Sequence, residues 1–444
     1  MGVSVPVHRG RFGAEQAERL LWRAGFGPAP GQARRLARKG LRRAVVSLTR
    51  PRGNARLRGP APHDEDGLPL APRDAWGHDH LWWLDRMVRS DQPLVERMTL
   101  VWHDWFATAD VGQVSLNLKQ NELFRKRGLG SFKELLLAVT VDPAMLVWLS
   151  GNQNEAGAPN ENYGRELMEL FTLGAGNGYS EDDVREQARA LTGWTNDWDD
   201  NLGMVDFRFD PERHDSGRKR IFGQAGRFDW RDSCRLCVEH PAHAGFFVER
   251  LWSYFIPTPP PKRTLRELKR RYRREGRIRP LVEAILMHPA LYEGPRMVKP
   301  PIVQIAGMLR ARRAGIETDS WTWIADEAGQ RLFRPPNVAG WDEERWLDTA
   351  RIGGRWTAAA WNTRENEVDE DAYDPTETAE QAVRKALRFW GSPTISARTR
   401  KELQRFARRV EAVATDEWQQ GTYRALRQNA LRMLVVMSPE LQTS

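Results

Sequence analysis

Apolar residues recur every three or four positions along most of this chain, and that spacing places them on one face of an α-helix. Clusters of Gly, Pro, Asn and Asp interrupt the repeats and predict turns; residues 54–76 should form an exposed loop. Helices are predicted for residues 14–24, 32–48, 79–90, 94–107, 117–128, 132–149 with a break near 142–143, 161–173, 180–191, 241–255, 264–275, 281–287, 301–314, 354–361, 376–390, 397–414 and 419–437.

One stretch departs from the helical pattern. Residues 194–232 are rich in Gly, Asp, Arg and aromatic residues, and polar and apolar residues alternate over 205–209 as in a strand. We expect an irregular insertion with one short hairpin, in which 219–222 pairs with 205–209. The predicted fold class is therefore all-α. It comprises a large irregular multi-helix domain over residues 1–365, which contains the 194–232 insertion, and a C-terminal helical appendage over residues 376–444.

Composition narrows the class of protein. The chain has 444 residues, of which 40% are hydrophobic and 29% charged, and this supports a folded globular protein. No apolar run approaches the roughly 18 residues of a membrane-spanning helix, so no membrane insertion is expected. Residues 1–24 contain no recognisable export signal, and the expected location is the cytoplasm.

The net charge of +9 arises from 68 basic and 59 acidic residues. It is modest for this length, and the arginines are spread through helix-like segments with acidic partners, so a nucleic-acid partner is not expected. The most basic run, residues 262–279, is interpreted as a solvated helix face. A surface for nucleic acid or an acidic partner is the alternative.

A histidine in an apolar helix is the first candidate functional residue. His103 lies in the segment Leu-Val-Trp-His-Asp-Trp-Phe. A buried histidine must donate and accept hydrogen bonds or bind a metal. His103 is therefore either a core residue with backbone or carboxylate partners, or a ligand or acid–base group.

Two carboxylates on an apolar helix form the second candidate. Glu166 and Glu169 are three residues apart and so lie on one face. Close, partly buried carboxylates are tolerated when one is protonated, when arginines such as Arg165 or Arg189 pair with them, or when they hold a cation. The pair therefore predicts an acid–base group, a structural ion pair or a metal site, and the sequence leaves the three open.

A third candidate, His214, lies in the insertion after an Asp-Pro turn, where loops often carry function; a solvated loop histidine is the alternative. His103, Glu166 and His214 would together make a nitrogen and oxygen ligand set for a divalent metal such as zinc, iron or manganese. The paired Glu-x-x-His motifs of helical di-iron proteins are absent.

Several classes of metal site and enzyme are excluded because their sequence motifs are incomplete or absent. Cys234 and Cys237 have the spacing of half a zinc knuckle, but no second cysteine pair exists, and His240 and His243 follow too closely for the usual finger. The motifs of phosphate-loop NTPases, dinucleotide enzymes, serine hydrolases with a nucleophile elbow and zincin proteases are also absent.

Taken together, the motifs resemble those of a bacterial family, the domain of unknown function 1800 family. The most specific is the run Pro-Asn-Glu-Asn-Tyr-Gly-Arg-Glu-Leu-Met-Glu-Leu-Phe-Thr-Leu-Gly at 159–174. The other segments that carry the resemblance are 19–28, 98–109, 142–148, 179–194, 214–217, 240–255, 288–289, 297–300 and 332–341. The resemblance implies no assigned activity. It does imply a partner, because genes of this family often neighbour those of a sulfatase-like family.

The functional hypothesis is an enzyme with a His/Glu acid–base or metal site that acts on an anionic small molecule or a glycan. His103, Glu166, Glu169 and His214 are the predicted catalytic residues, and Glu166 is expected to face inward, bonded to a histidine, an arginine or a metal, with His103 the first candidate. Asn160, Arg165 and Lys299 are the predicted substrate-binding residues. The alternative is a non-catalytic helical partner of a sulfatase-like enzyme.

A structural hypothesis concerns the turn at 337–341, Asn-Val-Ala-Gly-Trp. We expect it to seat Trp341 against the main domain, and Gly340 to adopt a positive φ that other residues resist.

Overall fold

The computed structural model describes residues 5–70, 75–109, 111–364, 366–369 and 373–444. These residues are mainly helical, and the predicted all-α class is confirmed. The α-helices are α1 (Ala14–Arg23), α2 (Gln32–Ala37), α3 (Leu41–Thr49), α4 (His78–Arg89), α5 (Pro93–Trp105), α6 (Val114–Arg127), α7 (Phe132–Thr140), α8 (Pro143–Trp148), α9 (Glu161–Glu166), α10 (Glu181–Ala190), α11 (Trp230–Glu239), α12 (His243–Ser253), α13 (Lys262–Glu275), α14 (Ile278–Leu286), α15 (Pro289–Glu293), α16 (Pro301–Arg312), α17 (Trp321–Glu327), α18 (Thr349–Arg364), α19 (Ala379–Phe389), α20 (Ala397–Val413), α21 (Glu417–Val436) and α22 (Pro439–Gln442).

A π-helical segment, Leu167–Thr172, continues α9, and short 3₁₀ turns occur at Gly151–Gln153, Pro211–Arg213 and Glu343–Leu347. Within the described ranges, none of the helices combines the length and the apolar character that crossing a bilayer requires.

Two helix boundaries show how local sequence sets these elements. The predicted helix over 132–149 is split where expected, because the Asp142 carboxylate accepts from the Met145 amide at 3.2 Å and Pro143 occupies the first turn of α8. At α10, the Ser180 hydroxyl accepts from the Asp183 amide, and the Asp183 carboxylate accepts from the Ser180 amide. This reciprocal pair of hydrogen bonds is a capping box.

The described strands all lie within the predicted insertion. They are β1 (Trp194–Asp199), β2 (Gly203–Phe209), β3 (Lys219–Ile221) and β4 (Gln224–Gly226). The predicted pairing of 205–209 with 219–222 is wrong, because β2 pairs with β1 and β3 pairs with β4, both antiparallel. Each strand pairs with its neighbour in sequence, since a short turn costs less loop-closure entropy. The β3–β4 turn, Phe222-Gly223, has positive φ at both residues, as in a type I′ hairpin.

The chain divides into two compact units whose segments alternate along the sequence. Unit 1 comprises Met1–His8, Leu94–Gly294 and Phe333–Trp341, and unit 2 comprises Arg9–Pro93, Pro295–Leu332 and Asp342–Ser444. This division differs from the predicted domain over 1–365 and appendage over 376–444, because α21 packs against α18 and α19 inside unit 2. Near the boundary predicted between these two regions, residues 365 and 370–372 lie outside the described residues.

Unit 1 has an aromatic core. Trp102 and Trp105 from α5 pack around Phe132 of α7 and Phe247 of α12, with a centroid distance of 4.5 Å between Phe132 and Phe247 and of 5.4 Å between Trp105 and Phe247. All four side chains are buried. Trp102 and Trp105 therefore serve core packing.

Unit 2 is organised around α16, which is buried on nearly all sides. One arginine of this helix, Arg310, binds neutral groups. Arg310 donates to the carbonyls of Gly27, Met87 and Val88. Burial lowers its pKa to about 10. A guanidinium in such a position stays charged and ties separate segments together.

Candidate functional site

The helix that carries the two glutamates is anchored closely at its start. Asn160, a predicted substrate-binding residue, is its N-cap: its side-chain oxygen accepts from the Asn162 amide at 2.9 Å, and its own amide donates to Asn154 Oδ1 at 2.8 Å. Gly164 then faces α10, where a Cβ would lie 3.1 Å from the backbone nitrogen of Ala188. The two helix backbones are therefore in close contact.

The end of this helix is held by three side chains from other helices of unit 1. Arg250 donates to the carbonyl of Leu170, the Trp105 indole donates to that of Phe171 at 3.1 Å, and His243 Nδ1 donates to that of Thr172 at 2.9 Å. Carbonyls at a helix C-terminus lack intrahelical partners, so these contacts satisfy groups that would otherwise be buried unpaired.

The turn between these anchors is π-helical over Leu167–Thr172, and the Leu173 amide donates to the carbonyl of Met168, five residues earlier. Single π-turns are rare and occur frequently at functional sites. Here the turn contains Glu169 and directly follows Glu166. The carboxyl pair thus lies on a rigid, irregular part of the helix.

Glu166 is half-buried and does not face the core. Tyr163, Leu167 and Met168 occupy the inward positions of the helix, and no hydrogen bond or ion pair reaches the Glu166 carboxylate from any described residue. Our prediction that Glu166 bonds to His103 or to an arginine is therefore wrong. Burial, and then the charge of Glu169, raise the pKa of Glu166, while Arg165 opposes them.

The partners of Glu169 and Arg165 complete this surface. Burial, and then the charge of Glu169, raise the pKa of Tyr179. Arg165 pairs with both oxygens of Glu181, at 2.9 and 2.7 Å, and with Glu161 at 3.2 Å. The guanidinium of Arg165 is thus already bonded to two carboxylates. The substrate-binding role of Arg165 stays a prediction.

His103 is a core residue of α5. Its Nε2 accepts from the Phe333 amide at 3.1 Å, and its ring packs against Phe333 and Trp341 at centroid distances of 5.4 and 5.5 Å. Burial lowers its pKa to about 3. The neutral imidazole is thus used to seat the 333–341 segment, and this geometry does not bring it to the carboxyl pair.

His214 is half-buried at the base of the β1–β2 hairpin. Its Nδ1 lies 3.0 Å from the carbonyl of Thr192 and 3.1 Å from the hydroxyl of the same residue, and its ring packs on Phe209. The next residue, Asp215, forms a bidentate ion pair with Arg189. The contacts described for His214 are thus with Thr192 and Phe209, and its catalytic role stays a prediction.

The predicted metal ligands do not assemble. Within the described ranges no three His, Cys, Asp or Glu side chains are grouped so that they could hold a metal ion, so His103, Glu166 and His214 do not form the predicted set. The cysteines are not ligands of a zinc knuckle either: both are buried, and the histidine that would complete it, His243, bonds to Thr172 and to Tyr272.

Lys299, the third predicted substrate-binding residue, lies in unit 2. Its ammonium donates to the carbonyls of Glu440 and Leu441 at 3.1 and 3.0 Å and lies 3.8 Å from the centroid of a Trp22 ring. Burial lowers its pKa well below the ordinary value. A buried ammonium with these partners orders the protein interior and is not placed to anchor a substrate.

Sequence reasoning missed Tyr179, Arg250, Trp105 and His243 as members of the site. Only Tyr179 had a local signal, because it immediately precedes the capping box of α10. The other three reach the glutamate helix through contacts between residues far apart in the chain, and helical spacing carries no information about such contacts.

Comparison with known proteins gives a family and no relative of known function. A protein-family model described as "Protein of unknown function (DUF1800)" matches residues 19–443. No curated protein and no solved structure matches the chain. The match covers both units and every residue of the carboxyl site, and the chain therefore belongs to the DUF1800 family.

Proposed function

We propose that the protein is an enzyme in which the Glu166–Glu169 pair performs general acid–base catalysis on a glycan. The observation that carries this proposal is Glu166 itself: a half-buried carboxyl group with a raised pKa and no ion-pair partner among the described residues. Such a group holds its proton to higher pH than an ordinary glutamate, as a general acid requires. Its neighbour Glu169, whose charge acts on Tyr179, would act as the general base that activates the attacking water, while Glu166 protonates the leaving oxygen of the glycosidic bond.

Charge favours a neutral substrate over the anionic one that the sequence suggested. Arg165 pairs with Glu161 and Glu181 and also acts on Glu166, whose other charged neighbour is Glu169, so carboxylates outnumber this guanidinium. A negative surface repels an anion. A polyhydroxylated sugar chain instead offers donors to the carboxylates without that repulsion.

The test is turnover by the full-length chain. Release of reducing ends should be measured on neutral polysaccharides, such as β-glucan and xylan, and on anionic ones, such as hyaluronate. We expect activity on a neutral glycan, and its loss in Glu166→Gln with the fold retained. The matched control is Glu134→Gln, which alters an exposed glutamate of α7 in the same unit. Turnover that survives Glu166→Gln, or no turnover on any glycan, would contradict the proposal.

A second candidate, the non-catalytic partner of a sulfatase-like enzyme, is favoured by one observation. The tip of the β1–β2 hairpin exposes Trp198 and Leu202, which are 69% and 67% accessible. Exposed large apolar side chains at one loop suit a protein contact. If this candidate is right, the sulfatase-like protein encoded by the neighbouring gene should bind the chain in titration calorimetry. The double substitution Trp198→Ser and Leu202→Ser should abolish the heat of binding without affecting any turnover.

A further inference from the structure

Unit 2 contains a small pocket that the carboxyl site does not use. It lies between α1, α16 and the segment after α19, has a volume of about 90 Å³, and is partly open to solvent. Its lining includes two tryptophans, one methionine, one carboxylate and one amide: Trp22, Trp390, Met308, Glu18 and Gln304. The volume suits a group of a few non-hydrogen atoms, since a cavity of ~150 Å³ takes a benzene ring.

The amide of Gln304 leaves one polar end without a protein partner. Gln304 is buried, and its Oε1 accepts from the Arg355 guanidinium at 2.7 Å. A guanidinium only donates, so this contact fixes which end of the amide is the oxygen. The Nε2 atom is therefore an NH₂ donor, and it is buried without a hydrogen-bond partner among the described residues. A buried donor of this kind requires an acceptor.

The carboxylate of Glu18 supplies the complementary acceptor. Its Oε2 accepts from the amide and the hydroxyl of Thr394, at 3.1 and 2.8 Å. These contacts hold the carboxylate at the pocket, and its Oε1 is left to accept from a ligand. A donor and an acceptor thus lie in one small, largely apolar space.

The aromatic walls are fixed in place. Trp22 has the Lys299 ammonium over its ring, and a Cβ at Gly307 would overlap its Cη2 atom. Trp390 donates from its indole nitrogen to the carbonyl of Arg432 at 2.8 Å. Held in this way, the rings present fixed apolar surfaces that could take a methyl group without rearrangement.

We propose that this pocket binds the acetamido group of an N-acetylhexosamine. The methyl group would pack against Trp22 and Trp390, the carbonyl oxygen would accept from Gln304 Nε2, and the amide N–H would donate to Glu18 Oε1. The positive charge of Arg355 lies on the Gln304 side, which favours the carbonyl oxygen there.

The residues at the mouth of the pocket favour a sugar as the molecule that carries the acetamido group. Three exposed polar residues line the mouth, Arg34, Ser392 and Thr394, and they can bond to ring hydroxyls. The proposal does not rest on the carboxyl pair of unit 1, because it concerns binding by unit 2 alone. An enzyme inactive on every glycan could still bind N-acetylhexosamine here.

The experiment is saturation-transfer NMR and titration calorimetry of the full chain with methyl N-acetyl-β-glucosaminide. We expect the strongest saturation at the acetyl methyl protons, and no binding of methyl glucoside or methyl glucosaminide at the same concentrations. Glu18→Gln and Gln304→Leu should each weaken binding about tenfold, the usual effect of losing one hydrogen bond. Glu15→Gln, an exposed glutamate on the same helix, should leave it unchanged.

Two results would overturn the proposal. If glucoside and N-acetylglucosaminide bind equally, the acetamido group is not what the pocket recognises. If N-acetyl-lysine binds and the sugar does not, the ligand is an acetylated peptide. Gln304→Leu also removes a partner of buried Arg355, so its melting curve must be recorded; Glu18→Gln, on the half-buried face of α1, tests the proposal independently.

Discussion

Gly340 lies directly against Asp104 in unit 1. Its φ is +92°, and a Cβ would overlap Oδ1 of Asp104 and come within 2.8 Å of the carbonyl oxygen of that residue. The next amide, that of Trp341, donates to Asp104 Oδ1 at 2.9 Å, and Tyr254 donates to Oδ2 at 2.5 Å. The predicted packed turn with a positive φ at Gly340 is confirmed.

Gly340→Val should therefore destabilise the protein by roughly 2–4 kcal/mol, through backbone strain and loss of the Asp104 contact. Urea unfolding measures the change. Gly223→Ala is the matched control: Gly223 also has a positive φ, but a Cβ there meets nothing within 4 Å, so only the strain of roughly 1–2 kcal/mol is expected. An unchanged melting temperature for Gly340→Val would show that the turn does not seat Trp341.

Replacing Glu169 with Gln should lower the pKa of Glu166, because the charge of Glu169 is one of the two causes that raise it. Replacing Arg165 with Gln should raise it further. Carbon-13 NMR of the glutamate carboxyls measures both, and Glu134→Gln should leave the Glu166 titration unchanged. If the pKa of Glu166 is the same in Glu169→Gln as in the wild type, the electrostatic basis of the proposed function is removed.

The raised pKa of Glu166 also makes the stability of the fold depend on pH. The pKa of Glu166 is higher in the folded than in the unfolded state, so the protonated group favours the fold. Its contribution is present at acidic pH and is lost as pH rises through the raised pKa. Glu166→Gln, which cannot ionise, should thus lose less stability than the wild type over that rise.

His103 should make the protein sensitive to acid. Its pKa falls from 6.5 to about 3 on folding, so the neutral ring favours the fold. The stabilisation is present above pH 6.5 and lost as pH falls toward 3, at about 1.4 kcal/mol for each unit of difference. Unfolding free energies measured across this window should fall less steeply in His103→Gln. The half-buried His240 provides the control substitution, and equal slopes in all three proteins would contradict this account.

The two cysteines should be unreactive in the native protein. Cys234 lies 3.2 Å from the Thr140 hydroxyl and Cys237 accepts from the Gln187 amide at 3.2 Å. Burial raises the pKa of Cys234 to about 12 and that of Cys237 further, so almost no thiolate exists at neutral pH. Ellman's reagent should release colour only when urea unfolds unit 1. Rapid labelling without denaturant would show that α11 opens in the native state.

Local features of the fold could be predicted from sequence because their causes are local. Asp142-Pro143 and the Ser180 capping box act within four residues, and the helical spacing of apolar residues is read over one or two turns. The pairing of strands needed more. β1 contains one Asn and two Asp residues, which are depleted in strands, and it forms because Trp194 pairs with Phe209 across the hairpin.

The candidate site was predicted only in part for the same reason. The helical spacing of Glu166 and Glu169 is a local property, and the structure places them on one half-buried face. Their distance from His103 depends on how the helices pack. Tyr163 of α9 and Leu167 of the π-helical segment occupy the inward positions instead. The alternation of the two units is likewise set by contacts between distant segments, and no local pattern reports it.

The three side chains that hold the carbonyls at 170–172 belong to helices that also build the aromatic core. Trp105 is the clearest case, since its ring packs in that core and its N–H holds Phe171. Sequence changes in the aromatic core and sequence changes around the carboxyl pair are therefore not independent. A lineage that changes Trp105 must also find a new donor for Phe171, so the interior of unit 1 and its surface chemistry should diverge together.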